Sequence, residues 1–551
     1  MMRPIRSSLP SRIIVTCLLV VCAVALAPAA APRFFADDPL TREPESRDAS
    51  AAQPNDVGLL YDLSYNLFVT PRAKPSNTLA GNVNTIDEVP DSSWFTNRIL
   101  PRRPSLEDFV RGPNTGRPPG PEQWVLVREK SAGYSPGFTA RDANGETWFL
   151  SFDPPGAPEA GTAAMVIASK IFWALGYNQI ETFITSVDPA RLTIDPQATM
   201  RRPNGKRTRF ERGDLAAILE RAARNPDGTY RAAAGRLLSG KVLGPFRYEG
   251  TRPDDPNDIV DHQHRRELRA LRVFGAWTNL TDMKAGNTLD TLVTVNGRSV
   301  VRHYLQDVGS TFGVGANGPH DWDEGFEYYY QSDSSRRRLL SLGFAQSPWQ
   351  RARYAAHPSV GRFESEEFDP VSWRPHAPTS AYLEMRGDDA FWAARRVAAF
   401  DDELIRALVH TGQFSDPAAE QHLATVLMER RDKVARAYLG VVNPIVDASL
   451  SAAGELTFKD AGRDAHVVTS PAQYRAAWYE FDNATGNTRS LDETRSTTAT
   501  IGPPRGLPST PGAIVQVDVI DDSGTQPGTR APVHLYFRRT ADAWALIGLA
   551  R

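Results

Sequence analysis

The spacing of apolar and polar residues predicts a helix followed by a hairpin in the middle of the chain. Residues 265–277 repeat apolar side chains at helical spacing, which is typical of a helix with one buried face. These side chains are Leu268, Leu271, Phe274 and Trp277. Residues 289–295 and 299–305 are extended apolar runs joined by Asn296-Gly297, the strongest short signal for a hairpin turn. The polar segment between helix and hairpin is predicted to be a loop.

A three-stranded meander and a long helix are predicted further upstream. Strands are expected at 124–128, 138–141 and 147–152, because these runs are separated by turns of small residues. Residues 159–175 then repeat apolar side chains along one helical face. This order predicts a β-rich lobe over residues 122–190.

The downstream pattern predicts a helical lobe and then a small β domain. Three amphipathic helices are expected at 388–400, 402–410 and 417–439. After residue 445 the pattern changes to short strands separated by Pro, Gly, Ser and Thr. The expected architecture is an α+β fold: the β-rich lobe, a mainly helical lobe over 191–445, and a C-terminal all-β domain over 446–551.

The first residues have the layout of a secretory signal. Arginines precede the apolar run 13–26, and alanines follow it, as in a cleavable signal peptide. Residues 1–31 are therefore predicted to direct the chain to a secreted or periplasmic location. The alternative is an uncleaved anchor, with residues 13–31 as the only membrane tether. Both cysteines, Cys17 and Cys22, lie inside this run, so the cleaved chain would form no disulfide.

Composition adds three limits. The 551 residues with 41% apolar content are enough for two or three domains. A formal net charge of -2 argues against nucleic acid as a partner. Residues 32–56, rich in charge, Pro, Ala and Ser, are predicted to be a flexible tether.

Residues 57–121 are predicted to be an extension packed on the core. They contain a string at 87–98 that is similar to one found in bacterial secreted proteins with a D-F-G-like element. Its aromatic pair Trp94-Phe95 is expected to pack the segment onto the lobe. Asp91 and Arg98 are candidates to reach a cleft.

The loop between helix and hairpin carries the main candidate chemistry. Asp282, Lys284 and Asn287 form a D-x-K-x-x-N pattern, and Asp307 with Gly309 forms a D-x-G pattern after the second strand. Such residues supply a carboxylate for a hydroxyl proton, a cation for a phosphoryl group, and oxygen ligands for magnesium. The alternative is that Asp282 and Asn287 only cap or form turns.

In this order, residues 265–313 resemble the C-terminal lobe of protein kinases. They are nearer to the atypical HipA-type, spore-coat and secretory-pathway kinases, because no His-Arg precedes Asp282 and the gap from Asn287 to Asp307 is long. The resemblance implies catalytic roles for Asp282 and Lys284, and metal ligation by Asn287 and Asp307. It also implies Mg2+, ATP or another nucleotide, and an acceptor that is an unknown protein or glycan.

The upstream lobe departs from the kinase pattern. The resemblance implies a phosphate-binding lysine on the third strand, paired with a helix glutamate, but residues 147–152 contain no lysine. Lys130 is the candidate replacement, with Glu159 as its partner. Gly133 and Gly137 are candidates to let backbone amides approach phosphates. The alternatives are ordinary hairpin glycines, a glutamate that faces the helix dipole, and a pseudokinase.

Two further polar clusters have ordinary explanations. A basic stripe on helix 265–277 is predicted to form salt bridges, with a neighbouring anionic substrate as the alternative; its members are Arg265, Arg266, Arg269 and Arg272. A later loop is predicted to be a solvated turn rather than a metal site. Its polar residues are His320, Asp321, Asp323 and Glu324.

These patterns predict a secreted atypical kinase that transfers a phosphoryl or nucleotidyl group from a magnesium-bound nucleotide. The sequence contains no G-x-S-x-G, H-E-x-x-H or Walker A motif to support a hydrolase or a P-loop enzyme. The alternative function is a non-catalytic, pseudokinase-like envelope protein that binds a partner or a glycan.

Overall fold

The computed structural model describes residues 31–130, 135–202, 204–342, 344, 346–524 and 527–551. Within them the chain forms a β-rich lobe, a mainly helical lobe and a β-rich C-terminal domain, which confirms the predicted α+β organisation. The predicted signal segment falls outside this range except for its last residue. In the described part, no helix is long and apolar enough to span a bilayer.

The elements are numbered here in chain order. The helices are α1 (Leu59–Phe68), α2 (Leu106–Arg111), α3 (Ala160–Leu175), α4 (Arg212–Glu220), α5 (Arg266–Thr278), α6 (Ser332–Leu340), α7 (Ser380–Leu383), α8 (Gly387–Ala398), α9 (Asp402–His410), α10 (Pro417–Tyr438) and α11 (Ala461–Asp464). The strands are β1 (Trp124–Glu129), β2 (Gly137–Arg141), β3 (Thr147–Phe152), β4 (Thr182–Val187), β5 (Leu192–Arg201), β6 (Arg207–Arg209), β7 (Tyr230–Arg236), β8 (Lys241–Gly244), β9 (Thr288–Val295), β10 (Arg298–Leu305), β11 (Val314–Gly315), β12 (Gly318–Pro319), β13 (Ile445–Leu450), β14 (Leu456–Asp460), β15 (Tyr474–Phe481), β16 (Thr488–Ser496), β17 (Thr500–Ile501), β18 (Ile514–Asp521), β19 (Val533–Arg539) and β20 (Trp544–Ala550).

The first lobe is larger than the predicted range 122–190. Its seven-stranded sheet has the order β4-β7-β3-β2-β1-β5-β6, with β5 parallel to β1 and β7 inserted between β3 and β4. Helix α4 also belongs to this lobe, since Ile218 and Leu219 share its core with Trp124 and Trp148. The sheet therefore continues past residue 190, which the sequence did not indicate because strand pairing over long sequence distances leaves no local signal.

Helix α5 lies at the centre of the second lobe. Its apolar residues Leu271 and Phe274 are buried in one cluster with residues of α3, α8 and α10. The predicted salt bridges of its basic stripe are confirmed for Arg265, Arg266 and Arg269, which are at most 1% exposed and ion-paired. Their burial leaves them inaccessible to a substrate.

Residues 32–56 are not the flexible tether that their composition predicts. Phe34 is buried against Phe481 and Tyr536 of the C-terminal domain. Ala49 and Ala52 have no exposed surface and pack beside the hairpin. Small alanines score weakly as core formers in a sequence, yet their size fits a narrow gap between larger elements.

The hairpin of β9 and β10 forms as predicted. Asn296 and Gly297 occupy its turn with φ values of 50° and 76°. Two consecutive positive φ angles match the twist of a two-residue hairpin, which explains why this dipeptide stands there. Strand β10 ends at Leu305 and delivers the chain to Asp307.

The C-terminal domain begins with β13 and contains a three-stranded and a five-stranded antiparallel sheet. Its core includes Trp478, Val517 and Leu535, each with no exposed surface. Arg551 anchors the domain to the extension through an ion pair with Asp87. The predicted C-terminal β-rich part of the fold is confirmed by these two sheets.

Candidate functional site

The D-x-K-x-x-N loop and the D-x-G segment meet at the base of the β9–β10 hairpin. Helix α5 ends at Asn279, whose left-handed conformation (φ 57°) turns the chain into the loop. The backbone carbonyl of Asn287 accepts hydrogen bonds from the N–H groups of both Gln306 (2.9 Å) and Asp307 (3.0 Å). These two hydrogen bonds join the loop to the D-x-G segment, which begins 20 residues later.

Asp282 and Lys284 form an ion pair at the open side of the loop. Lys284 Nζ lies 2.6 Å from Asp282 Oδ2, and the two side chains are 42% and 39% exposed. Asn287 Nδ2 donates a hydrogen bond to the carbonyl of Asp282 (2.8 Å), which holds the loop closed. A carboxylate and a cation are therefore presented together to solvent.

Asp307 is exposed and lies where the D-x-G segment approaches helix α3. Its Oδ1 accepts a hydrogen bond from the Gly309 N–H (3.0 Å). A Cβ at Gly309 would lie 2.7 Å from Cγ of Met165 on α3, closer than real Cβ contacts allow. Only glycine lets the segment come this close to the helix.

Lys130, at the end of β1, shares an electrostatic environment with Asp307. Burial lowers the pKa of the Lys130 ammonium, and the Asp307 carboxylate opposes that shift. Lys130 Nζ also donates a hydrogen bond to Ser135 Oγ. The chain thus brings a cation of the first lobe towards the carboxylate predicted to bind metal.

The structure does not pair Lys130 with Glu159. Glu159 precedes α3 with a φ of 68°, and its Oε2 accepts a hydrogen bond from the Ser415 N–H (3.0 Å). Gly137 lies in β2, where a Cβ would meet the Leu150 carbonyl oxygen at 2.3 Å, so close strand packing accounts for it. Gly133 lies outside the described residues.

Two residues near the site were not predicted from the sequence. Asp62 of α1 accepts a hydrogen bond from the Ala285 N–H (3.2 Å), so the N-terminal extension supports the loop directly. Burial raises the pKa of the Asp62 carboxyl, although that hydrogen bond lowers it. Arg221, after α4, is the second charge that acts on Lys130. Neither residue lies in a motif, and no sequence signal marks it.

His320 lies under the loop rather than in a solvated turn. It is 2% exposed, and its Nε2 lies 3.0 Å from Ser310 Oγ. Burial lowers the pKa of His320, which favours the neutral imidazole. No group of three or more His, Cys, Asp or Glu side chains arranged to hold a metal occurs in the described part of the chain. His320 therefore supports the loop from below.

Asn287 and Asp307 fit a magnesium ion better than a structural metal. They offer one amide oxygen and one carboxylate, and the Asn287 amide nitrogen is already committed to Asp282. Mg2+ is usually held by one or two carboxylates together with water and substrate phosphates, rather than by a cage of protein ligands. An open set of two oxygen ligands suits this chemistry.

No protein-family model matches this chain, and no curated protein matches it. Among solved structures, it is similar to the Golgi casein kinase with Mn/ADP bound, at 12% identity and a TM-score of 0.29, over 72% of this chain and 95% of that chain. It is also similar to the Helicobacter pylori proinflammatory kinase CtkA, at 11% identity and a TM-score of 0.28, over 56% of this chain and 94% of that one. Both of these neighbours are described as kinases.

Proposed function

We propose that this chain is a secreted atypical kinase that transfers a phosphoryl group from a magnesium-bound nucleotide to an acceptor hydroxyl. The observation that carries the proposal is the junction of the D-x-K-x-x-N loop with Asp307, through the Asn287 carbonyl. In this proposal a carboxylate, a cation and two metal-ligand oxygens act together at this junction. Lys130 adds a phosphate-binding cation from the other lobe.

In the proposed reaction, Asp282 accepts the proton of the acceptor hydroxyl. The new oxygen–phosphorus bond then forms as the bond to the departing nucleoside diphosphate breaks. Lys284, which lies beside Asp282, stabilises the negative charge of the moving phosphoryl group. Asn287 and Asp307 would hold Mg2+, which would neutralise part of the phosphate charge. Positioning and electrostatics would therefore supply most of the acceleration.

A pseudokinase that binds a partner or a glycan is the second candidate. The observation that favours it is the absence of an ion pair between Lys130 and Glu159, whose carboxylate instead holds the Ser415 backbone. A lysine without that partner is less rigidly positioned for phosphate. Nucleotide binding without transfer would support this alternative.

A magnesium-dependent thermal shift tests the proposed function. We expect one nucleotide of a panel to raise the melting temperature when Mg2+ is present, and neither component alone to do so, because a ligand stabilises the state it binds. Lys130→Met should weaken the binding of that nucleotide roughly tenfold to a hundredfold, because a charge-assisted hydrogen bond to phosphate is lost. Lys206→Met, an exposed lysine of the same lobe, is the control. No shift with any nucleotide would contradict the proposal.

Nucleotide affinity should also depend on pH through Lys130. Because burial lowers its pKa from the ordinary 10.5, the ammonium loses its proton at a lower pH than a free lysine does. The protonated form attracts phosphate, so affinity should fall with rising pH, and at a lower pH than an ordinary lysine would give. In Lys130→Arg, whose guanidinium stays charged, the fall should disappear. Equal pH profiles for the two proteins, measured by calorimetry, would exclude Lys130 as the titrating group.

A further inference from the structure

A cavity of about 490 Å3 lies beside the turn of the β9–β10 hairpin. Its wall combines three stretches: residues 42–45, residues 91–98 and the hairpin itself. The wall contains neither Asp307 nor any residue of the D-x-K-x-x-N loop. This cavity is separate from the proposed nucleotide cleft.

Asp91 and Arg98, the candidates to reach the catalytic cleft, line this separate cavity instead. The aromatic pair of their segment packs as predicted: Trp94 stacks on His303 with ring centroids 3.5 Å apart, and Phe95 is fully buried. The His303 N–H donates a hydrogen bond to the Ser93 carbonyl (3.3 Å). The segment therefore runs beside β10 and forms one wall of the cavity.

Four arginines line this cavity, and none forms an ion pair with a described residue. They are Arg42, Arg98, Arg298 and Arg302. Arg298 donates only to the Glu45 carbonyl (3.3 Å), and Arg98 only to the carbonyls of Trp173 (2.7 Å) and Tyr177 (3.0 Å).

The carboxylates in the same wall are already committed elsewhere. Glu43 accepts two hydrogen bonds from Arg265 (3.0 and 3.3 Å). Glu45 accepts the Ser93 N–H (2.7 Å). Asp91 accepts the Asn97 N–H (2.8 Å) and pairs with Arg102 (2.9 Å). These hydrogen bonds leave the carboxylate charges in place, so the wall holds four arginines against three carboxylates and carries an excess of positive charge.

Arg98 makes this imbalance costly. Burial lowers the pKa of its guanidinium to about 10, and Asp91 is the charge that opposes the shift. A desolvated cation without a paired anion is unfavourable. An anionic group from a ligand would supply the missing counter-charge, and guanidinium groups match the geometry of phosphate and sulfate oxygens.

We propose that this cavity binds a small anion carrying two or more phosphate or sulfate groups. Arg42, Arg298 and Arg302 approach it from two separate stretches of chain, so one acidic group would not engage all of them. Ser93 and Thr96 add hydroxyl donors to the same wall. The volume is within the range of small-molecule pockets, about 300–1,000 Å3.

Calorimetry in magnesium-free buffer tests this proposal, with pyrophosphate and a disulfated disaccharide as the two probes. We expect saturable binding of at least one probe, and the preferred probe identifies the acidic group. The double variant Arg42→Gln/Arg302→Gln should bind it at least about tenfold more weakly, because charge-assisted hydrogen bonds are lost. Neither side chain forms a hydrogen bond or ion pair within the described structure, so the fold should survive, which circular dichroism checks.

Two controls make the result decisive. Arg353→Gln removes an exposed arginine outside the cavity and should leave the affinity unchanged. Lys130→Met removes the cation of the nucleotide cleft and shows whether any of the measured binding occurs there instead. The proposal is overturned if neither probe binds at millimolar concentration, or if the double variant matches Arg353→Gln. It is equally overturned if Lys130→Met abolishes binding that the double variant retains.

Discussion

Asp307→Asn should abolish magnesium-dependent nucleotide binding, and any phosphoryl transfer with it. The substitution keeps the size of the side chain but removes the only carboxylate of the proposed metal pair. Loss of a residue that merely supports a metal ligand typically costs about 10–100-fold in metal affinity, so loss of the ligand itself should cost more than about a hundredfold. Calorimetric titration of Mg2+-nucleotide into the variant measures this loss.

Two companion variants separate metal binding from chemistry. Asp542→Asn, an exposed aspartate of the C-terminal domain, is the matched control and should bind like the unmodified protein. Asp282→Asn should retain nucleotide binding but lose transfer, because only the proton-accepting carboxylate is removed. Unchanged nucleotide affinity in Asp307→Asn would show that the metal, or the nucleotide itself, is held elsewhere.

The sequence predicted best those elements whose signals are local. The hairpin was placed to within one residue at each end, because Asn296-Gly297 determines the turn through its own backbone preferences. Helix α5 was placed equally well from the spacing of its apolar side chains. Each of these signals lies inside the element that it predicts.

Features that depend on contacts between distant parts of the chain could not be predicted from the sequence. Strand β1 pairs with β5, and β7 lies between β3 and β4. The sequence patterns of these strands do not indicate which strand each one pairs with. Similarly, Asp62 supports Ala285 across 223 residues. The motif residues of the loop could be named from the sequence, but the residues that hold the loop in place could not.

The basic stripe of α5 shows the same division. Its spacing on one helical face was visible, but two of its carboxylate partners, Asp388 and Asp389, come from α8, more than 100 residues later. Asp389 is the shared partner: Oδ1 accepts from Arg266 (3.0 Å), and Oδ2 accepts from Arg269 (3.1 Å). Asp389 Oδ2 also accepts the Arg386 N–H at the start of α8 (3.1 Å). One buried carboxylate therefore joins α5 to α8 and also caps the N-terminal end of α8.

Asp389→Ala should lower the free energy of unfolding by about 3–5 kcal/mol, the usual cost of removing one partner from a buried ion pair. Asp389 is the only ion-pair partner of Arg269 within the described structure, and both side chains have no exposed surface. Arg266 is less affected, because it keeps Asp87 and Asp388. Urea unfolding followed by tryptophan fluorescence measures the change, with Trp392 of α8 as a probe of this lobe.

The control is Asp402→Ala. The Asp402 side chain is 51% exposed and pairs with Arg431, so this ion pair should contribute little to stability. Equal shifts of the unfolding midpoint in the two variants would show that water or a rearranged carboxylate compensates Arg269, and that Asp389 does not join the helices as described.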